Sequence, residues 1–521
     1  MALLEGSAAT AGIALSVVAV VVFGLAAVAY SLYFTSRTKH HIDTEFFVTA
    51  RGTMPVARIA WSFFAASMGA WVLYGPAQYV ADPSFGVGYL GLISYSFFTG
   101  APLVMIAFMG SYIRKNVPQA TSIASFGRWR FGTVVELFIM LLVLFNLGVA
   151  LAAEYTAIGG IFGDFFGVAS WVPIVAVGLM TMAYTATGGL YVSIITDQWQ
   201  AIISLLLLFT SVIYIGVSFK GVTLPPLPDY LGATTAGWQS FVTLGISLCA
   251  ATFFSEAMWQ RVWASQDSRS LQIGALIGGS LATLAVAVFS FGALLAYWSG
   301  RADANSLSNF AFFYAFKSSD GTVSPAVTII VLLFAVIMNE SAVDSFQNAI
   351  TDTLVSAASI VGLSVPLWAA RLIVVAVNVP VMIVGTRGLN IIQLFLVGNM
   401  LTSCTFLSLA AGLIPALNNI ISPISVILGC LFSFFSVMVY GAIQTGSVGT
   451  GLYTYFYSVY DIYAFIIAPV SGIVGLALFA GIELAVRKIA GWPMPSLPDP
   501  PVIEQATAKI EEIKRDMVAS A

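Results

Sequence analysis

Long apolar runs, separated by short polar segments, follow one another along almost the whole chain. About 20 mostly apolar residues are the length that an α-helix needs to cross a bilayer. The run from Ala11 to Phe34 is too long for a signal peptide and is interpreted as the first membrane helix. The pattern predicts thirteen transmembrane helices, centred near Val20, Ser67, Phe97, Val143, Val177, Leu206, Leu248, Ala285, Val343, Val375, Val397, Phe432 and Gly472.

The basic residues predict the orientation of these helices. An odd number of spans places the two termini on opposite sides, and Lys and Arg concentrate in cytoplasmic segments. With the N-terminus outside, sixteen of the twenty Lys and Arg fall on the cytoplasmic side. We therefore expect a plasma-membrane protein with a transmembrane transporter domain over residues 1–492. Residues 493–521 are expected to form a short cytoplasmic tail.

Composition and missing motifs exclude several classes of protein. Charged residues make up 8% of the chain, against about 25% in soluble domains. The net charge of −3 gives no reason to expect a nucleic-acid partner, and the three cysteines form no disulfide or metal pattern. No phosphate-binding loop, His-Glu-x-x-His or Gly-x-Ser-x-Gly motif occurs. We expect neither an ATP-driven pump nor an enzyme, and no cofactor beyond a coupling ion.

Ionisable side chains inside the predicted spans are the first candidates for function. Such a group near the bilayer centre costs several kcal/mol unless it is paired, hydrated or protonated. Glu340 and Asp344 are four residues apart, so they share one helix face with Ser341. Either these groups only link helices, or they form a cation or proton path; the cluster favours a path through Asp197, Glu340 and Asp344. The spans hold six carboxylates: Glu154, Asp197, Glu256, Glu340, Asp344 and Asp352.

A second candidate feature is a set of helix breakers in the second span. Residues 65–76 combine small residues with the pair Gly75-Pro76. Unwound backbone at membrane depth is tolerated where it lines a cavity, and its carbonyl groups can then bind ions. Gly and Pro are also common in ordinary membrane helices, so the break indicates a binding region only together with other features.

One segment resembles a known family. Gly188-Gly189-Leu190, followed by Thr196-Asp197 and then Gln200, is similar to the signature of the sodium:solute symporter family. Three further stretches agree with that family in order and spacing. They are Glu45-Phe46-Phe47 with Ala50-Arg51-Gly52, Ala124 to Gly132, and Met258-Trp259-Gln260-Arg261-Val262-Trp263-Ala264.

The resemblance implies a fold and an ion site. The fold would be an all-α membrane protein with a five-plus-five inverted-repeat (LeuT-type) core over about residues 56–415. One extra helix would precede this core and two would follow it. The sodium site would consist of main-chain or hydroxyl oxygens of Ala65, Met68, Met338 and Ser341. Ala342 stands where the family has a second hydroxyl, so protons are the alternative coupling ion.

The resemblance also implies a small-molecule substrate near the bilayer midplane. The expected substrate residues are Ser67, Trp71, Tyr74, Ser255, Glu256 and Gln393. Buried acids without a facing base favour a small polar nitrogenous solute, either proline-like or of the urea and polyamine type. The main function is then ion-coupled symport, and an uncoupled facilitator or channel is the alternative. The bilayer is the other expected partner, and the oligomeric state stays open.

Overall fold

The structure, a computed structural model, describes residues 6–37, 43–118, 120–303, 306, 308–317, 324–457 and 461–495. These ranges hold helices and one isolated β-bridge. The predicted tail lies outside the described residues beyond position 495. The α-helices are α1 Gly6–Arg37, α2 Thr44–Thr49, α3 Val56–Ser67, α4 Gly75–Ala81, α5 Gly88–Asn116, α6 Ile123–Phe131, α7 Thr133–Phe166, α8 Trp171–Ser218, α9 Thr235–Phe253, α10 Glu256–Ala264, α11 Ser268–Trp298, α12 Ala311–Tyr314, α13 Pro325–Ile360, α14 Leu367–Gly385, α15 Ile391–Ala410, α16 Pro423–Thr445, α17 Val448–Tyr457 and α18 Ile462–Ala490. The 3-10 helices are Ala70–Leu73, Asp229–Leu231, Ser308–Phe310, Ala411–Leu413 and Pro415–Leu417.

The all-helical membrane class predicted from the sequence is confirmed. Among the described residues, eleven helices are long and apolar enough to span a membrane, or twelve if the bent pair of α3 and residues 70–81 is one span. All thirteen predicted centres fall in described helices, and two of them, Val177 and Leu206, fall in α8. The count of thirteen stays a prediction.

Helix α8 contains a break that explains its length. Its 48 residues would extend about 72 Å as a straight helix, more than twice the ~30 Å of a bilayer core. At Gly189 the backbone leaves the helical region, with φ 61° and ψ −157°. Residues 171–188 and 190–218 therefore form two helical segments that meet at this glycine.

Two other helices are interrupted, at corresponding places in the chain. The first break, at Met68 and Gly69, bends α3 by 59° from the helix that follows. The second break, at Phe254 and Ser255, separates α9 from α10. Each broken helix is the first of five spanning helices. The first broken helix is followed by α5, α7 and the two segments of α8, and the second is followed by α11, α13, α14 and α15. This order matches the predicted five-plus-five core.

Backbone hydrogen bonds join the two broken helices at their predicted cytoplasmic ends. The N–H of Gly52 donates to the Trp263 carbonyl (3.0 Å), and that of Met54 donates to the Ala264 carbonyl (2.9 Å). The N–H of Gln266 donates back to the Met54 carbonyl (3.0 Å). The chain before α3 is therefore fixed to the chain after α10.

Helix α13 is the spanning helix most enclosed by protein among those described. It packs against α7, both segments of α8 and α3. Because these neighbours bury most of it, α13 can carry polar side chains without exposing them to lipid.

Candidate functional site

A cavity of about 140 Å³ lies where the two helix breaks meet. Ser67 lines it from the first break and Ser255 from the second. Trp71 packs edge-on against Phe395, with 5.6 Å between ring centroids. The described residues lining this cavity carry no charge; they are Ala66, Ser67, Trp71, Tyr95, Phe98, Thr99, Leu103, Asn146, Val149, Ala150, Leu248, Ala251, Thr252, Ser255, Met258, Phe346, Phe395, Gly398 and Asn399.

The cavity brings together three of the six predicted substrate residues, namely Ser67, Trp71 and Ser255. Glu256 lies outside the lining, because its carboxylate accepts hydrogen bonds from the Ile123 N–H (3.2 Å) and from Trp263 Nε1 (3.3 Å). Gln393 also lies outside, with an exposed side chain in the first turn of α15. The positions of Glu256 and Gln393 depend on the direction in which each side chain points from its helix. A long apolar run in the sequence does not contain this information.

Tyr74 lines a second cavity, of about 300 Å³, on the predicted outer side. Its neighbours there include Gln78, Asp164, Asn309 and Asn390. The Tyr74 ring packs on that of Phe310 at 5.3 Å, and its buried hydroxyl has no partner among the described residues. Trp71 and Tyr74 are one helical turn apart, so this turn separates the central cavity from the outer one.

Asp197 and Arg261 form a wholly buried ion pair, with 2.9 Å between Oδ2 and Nη2. The Ser62 hydroxyl donates to Asp197 Oδ2 and the Ser341 hydroxyl to Oδ1, both at 2.6 Å. Arg261 also donates to the Ser345 hydroxyl (2.7 Å). The cluster thus joins α3, α8, α10 and α13. The sequence singled out Asp197 but not its partner, although a buried carboxylate needs one.

The other two predicted ion-pathway residues lie one turn apart on α13, both wholly buried. Asp344 Oδ1 accepts hydrogen bonds from Ser193 (3.1 Å) and Ser345 (3.2 Å). Neither carboxylate oxygen of Glu340 has a hydrogen-bond partner among the described residues. Of the six predicted intramembrane carboxylates, only Asp197 has an ion-pair partner in the described part of the chain.

The four residues of the predicted sodium site are buried on α3, at its break and on α13. Met68 has an extended backbone (φ −107°, ψ 123°), and its N–H donates to the Ala65 carbonyl at 3.2 Å. The Ser341 hydroxyl donates its hydrogen bond to Asp197, so the lone pairs of its oxygen are free to bind a cation. These oxygens are of the kind that a hard cation takes. The site of Ala65, Met68, Met338 and Ser341 stays a prediction.

Glu154 of α7 lies against the first helix break. Its Oε2 accepts hydrogen bonds from the Ala70 N–H (2.8 Å) and from Asn339 Nδ2 (2.7 Å). A Cβ atom at Gly69 would lie 1.9 Å from Glu154 Oε1, so the carboxylate rests directly on the unwound backbone. The sequence predicted a buried acid here but gave no sign of this contact.

Comparisons with known proteins agree with this architecture. Residues 46–227 match the sequence model of the sodium:solute symporter family. The chain is 24% identical over 472 residues to the spermidine transporter DUR31 of Candida albicans, covering 88% of this chain and 89% of that protein. This confirms the family resemblance in the sequence.

Two solved structures share the fold. One is a Na⁺-coupled sialic acid symporter in a substrate-bound outward-open state, with a TM-score of 0.67, 15% identity and coverage of 90% of this chain and 98% of that one. The other is Mhp1, a nucleobase-cation-symport-1 family transporter in a closed conformation, with a TM-score of 0.54, 13% identity and coverage of 89% and 97%. At such low identity the likeness concerns the fold alone, and it confirms the LeuT-type arrangement.

Proposed function

We propose that this chain, a multi-span transporter that matches the sodium:solute symporter family, couples inward Na⁺ movement to the uptake of a small nitrogenous solute. The observation that carries the proposal is the central cavity, where both helix breaks meet. In such transporters, the solute and ion sites are formed by interrupted helices near the membrane midplane. The orientation follows the basic residues, with the N-terminus outside and the C-terminus in the cytoplasm of a plasma-membrane protein.

Within the nitrogenous solutes, the lining of the cavity favours a polyamine over a proline-like amino acid. Trp71, Tyr95 and Phe395 present aromatic rings, and a ring face attracts an ammonium group. Asn146 donates its amide N–H to the Ala251 carbonyl at 3.1 Å, which leaves its oxygen to accept a hydrogen bond from an amine. The spermidine transporter among the relatives fits this class of substrate.

Sodium is the proposed coupling ion, held by Ala65, Met68, Met338 and Ser341. Protons are the alternative, because Glu340 and Asp344 are buried close to these residues without a cationic partner of their own. A carboxylate in such surroundings either binds a cation or takes up a proton.

Uptake into proteoliposomes tests the function. An inward Na⁺ gradient is expected to drive the accumulation of labelled spermidine above equilibrium, and a pH gradient alone is not. The control is the same vesicles with equal Na⁺ on both sides. Accumulation driven only by the pH gradient would assign coupling to protons. Equilibration without accumulation under either gradient would make the protein a facilitator and contradict symport.

Ser341→Ala tests the ion site. We expect the Na⁺ concentration for half-maximal uptake to rise by at least about tenfold, taking ~1.5–3 kcal/mol, the value of a hydrogen bond to a charged group, as a guide to the lost oxygen contact. Ser341→Thr, which keeps the hydroxyl, should retain Na⁺ affinity near that of the wild type. Ser290→Ala removes a buried hydroxyl of α11 that has no hydrogen-bond partner among the described residues, and it serves as the matched control. An unchanged Na⁺ dependence in Ser341→Ala would contradict this site.

A further inference from the structure

The Glu154 carboxylate accepts a hydrogen bond from the Ala70 N–H, a backbone donor that the first helix break leaves free. We propose that Glu154 thereby excludes substrates that carry a carboxylate, and restricts transport to amines without one. This inference rests on the proposed function, because it specifies which nitrogenous solutes the same cavity accepts.

The donors at the break are already used by the protein itself. In broken membrane helices, the freed N–H groups of the outer half are the groups that bind an anionic part of the substrate. Here the Ala70 N–H points to Glu154 Oε2 at 2.8 Å. The side-chain amide of Asn339 donates to the same oxygen (2.7 Å) and to the Glu154 carbonyl (3.0 Å). A substrate carboxylate would find these donors occupied whether Glu154 is ionised or protonated.

Glu154 is also close to the central cavity. Asn146 and Ala150 line the central cavity from α7, and Glu154 follows Ala150 at the four-residue spacing that keeps a residue on the same helix face. The rise between them is about 6 Å. On the facing side, the carboxylate touches the backbone at Gly69, between the lining residues Ser67 and Trp71. The carboxyl group of Glu154 therefore lies directly behind the cavity wall.

Among the described residues, the cavity lining offers a substrate carboxylate no cationic partner. The lining contains no Lys, Arg or His, and Arg261, the buried base nearest in sequence to the second break, is paired with Asp197. A substrate carboxylate in the cavity would therefore have no counter-charge. An amine has the opposite sign and needs hydrogen-bond acceptors and ring faces, which the lining supplies.

Pairs of molecules that differ by one carboxylate test the inference. Putrescine and ornithine share a diamine chain, as do cadaverine and lysine, and only the second member of each pair carries a carboxylate. Each is used to compete with labelled spermidine for uptake into proteoliposomes. For the wild type, the diamine should inhibit at a concentration at least tenfold lower than its amino acid. In Glu154→Ala this ratio should fall about tenfold, because the Ala70 N–H and the Asn339 amide become free to bind a carboxylate.

Two further variants make the result specific. Glu154→Gln keeps an oxygen for the Ala70 N–H but has no charge, so its ratio should fall between those of the wild type and Glu154→Ala. Glu136→Gln alters another buried glutamate of α7, which faces Arg128 at 3.7 Å near the opposite end of the helix; its ratio should equal that of the wild type. If Glu154→Ala does not fold, the ratio is taken from Glu154→Gln by ligand-induced thermal stabilisation in detergent.

The outcomes separate this inference from the proposed function. A wild type that takes ornithine as readily as putrescine, or Glu154 variants that keep the full discrimination, would overturn the role of Glu154 while leaving symport intact. If neither the Na⁺ gradient nor the pH gradient drove accumulation in the wild type, symport itself would be overturned. This holds whatever ratio of diamine to amino-acid inhibition is measured.

Discussion

Asp197→Asn is expected to abolish uptake and to destabilise the protein strongly. The substitution leaves the wholly buried Arg261 guanidinium without its counter-charge, and removing one partner of a buried pair typically costs about 3–5 kcal/mol. It also disturbs the contact that the Ser341 hydroxyl makes with Asp197. The measurements are thermal unfolding in detergent and uptake into proteoliposomes.

The double variant Asp197→Asn/Arg261→Met separates charge from packing. Because both charges are gone, it should unfold at a higher temperature than Asp197→Asn alone, yet still fail to transport. Arg128→Gln is the control: Arg128 is half-exposed and lies 3.7 Å from Glu136, so its loss should cost less than the loss of one partner from a wholly buried pair. If Asp197→Asn unfolded at the wild-type temperature, the pair would not stabilise the junction of the four helices.

Gly189→Ala is expected to prevent the accumulation of folded protein. At φ 61° and ψ −157° the backbone lies in a region that is essentially restricted to glycine and costs other residues about 1–3 kcal/mol. A Cβ atom there would also lie 2.3 Å from the Phe47 carbonyl oxygen, which is backbone and cannot rotate away. The measurement is the yield of monodisperse protein after detergent extraction.

Gly216→Ala, on the same helix, is the matched control. A Cβ atom at Gly216 meets nothing within 4 Å, so this variant should fold as well as the wild type, and a helical Ala is favoured over Gly by about 0.5–1 kcal/mol. Equal yields from the two variants would show that the break in α8 does not require glycine.

The sequence predicted the features that depend on depth in the membrane. The thirteen centres predicted from apolar runs all fall in described helices, and the break in α8 lies in the Gly188-Gly189 pair of the family-like segment. The cluster on α13 was predicted to face protein, because two carboxylates four residues apart cannot both face lipid, and α13 is indeed enclosed. These inferences need only local spacing and the cost of placing polar groups in hydrocarbon.

Contacts between distant parts of the chain could not be predicted in this way. Arg261 and Asp197 are 64 residues apart, and Glu154 meets Ala70 across 84 residues. Their pairing depends on how helices rotate and cross, which a composition pattern does not contain. The same limit explains why Ser255 reaches the cavity while its neighbour Glu256, at the first position of α10, turns to the N–H of Ile123.

The hydrogen bonds between residues 52–54 and 263–266 have a mechanical consequence. They connect α3 to α10 at one end, while the breaks at Met68–Gly69 and Phe254–Ser255 interrupt the same two helices at the other. The hydrogen-bonded connection between α3 and α10 is expected to be stiffer than the two interrupted helices. The two helices should therefore move as one unit, and the backbone should bend at the two breaks. We therefore expect that opening the cavity toward the predicted cytoplasmic side moves both half-helices together.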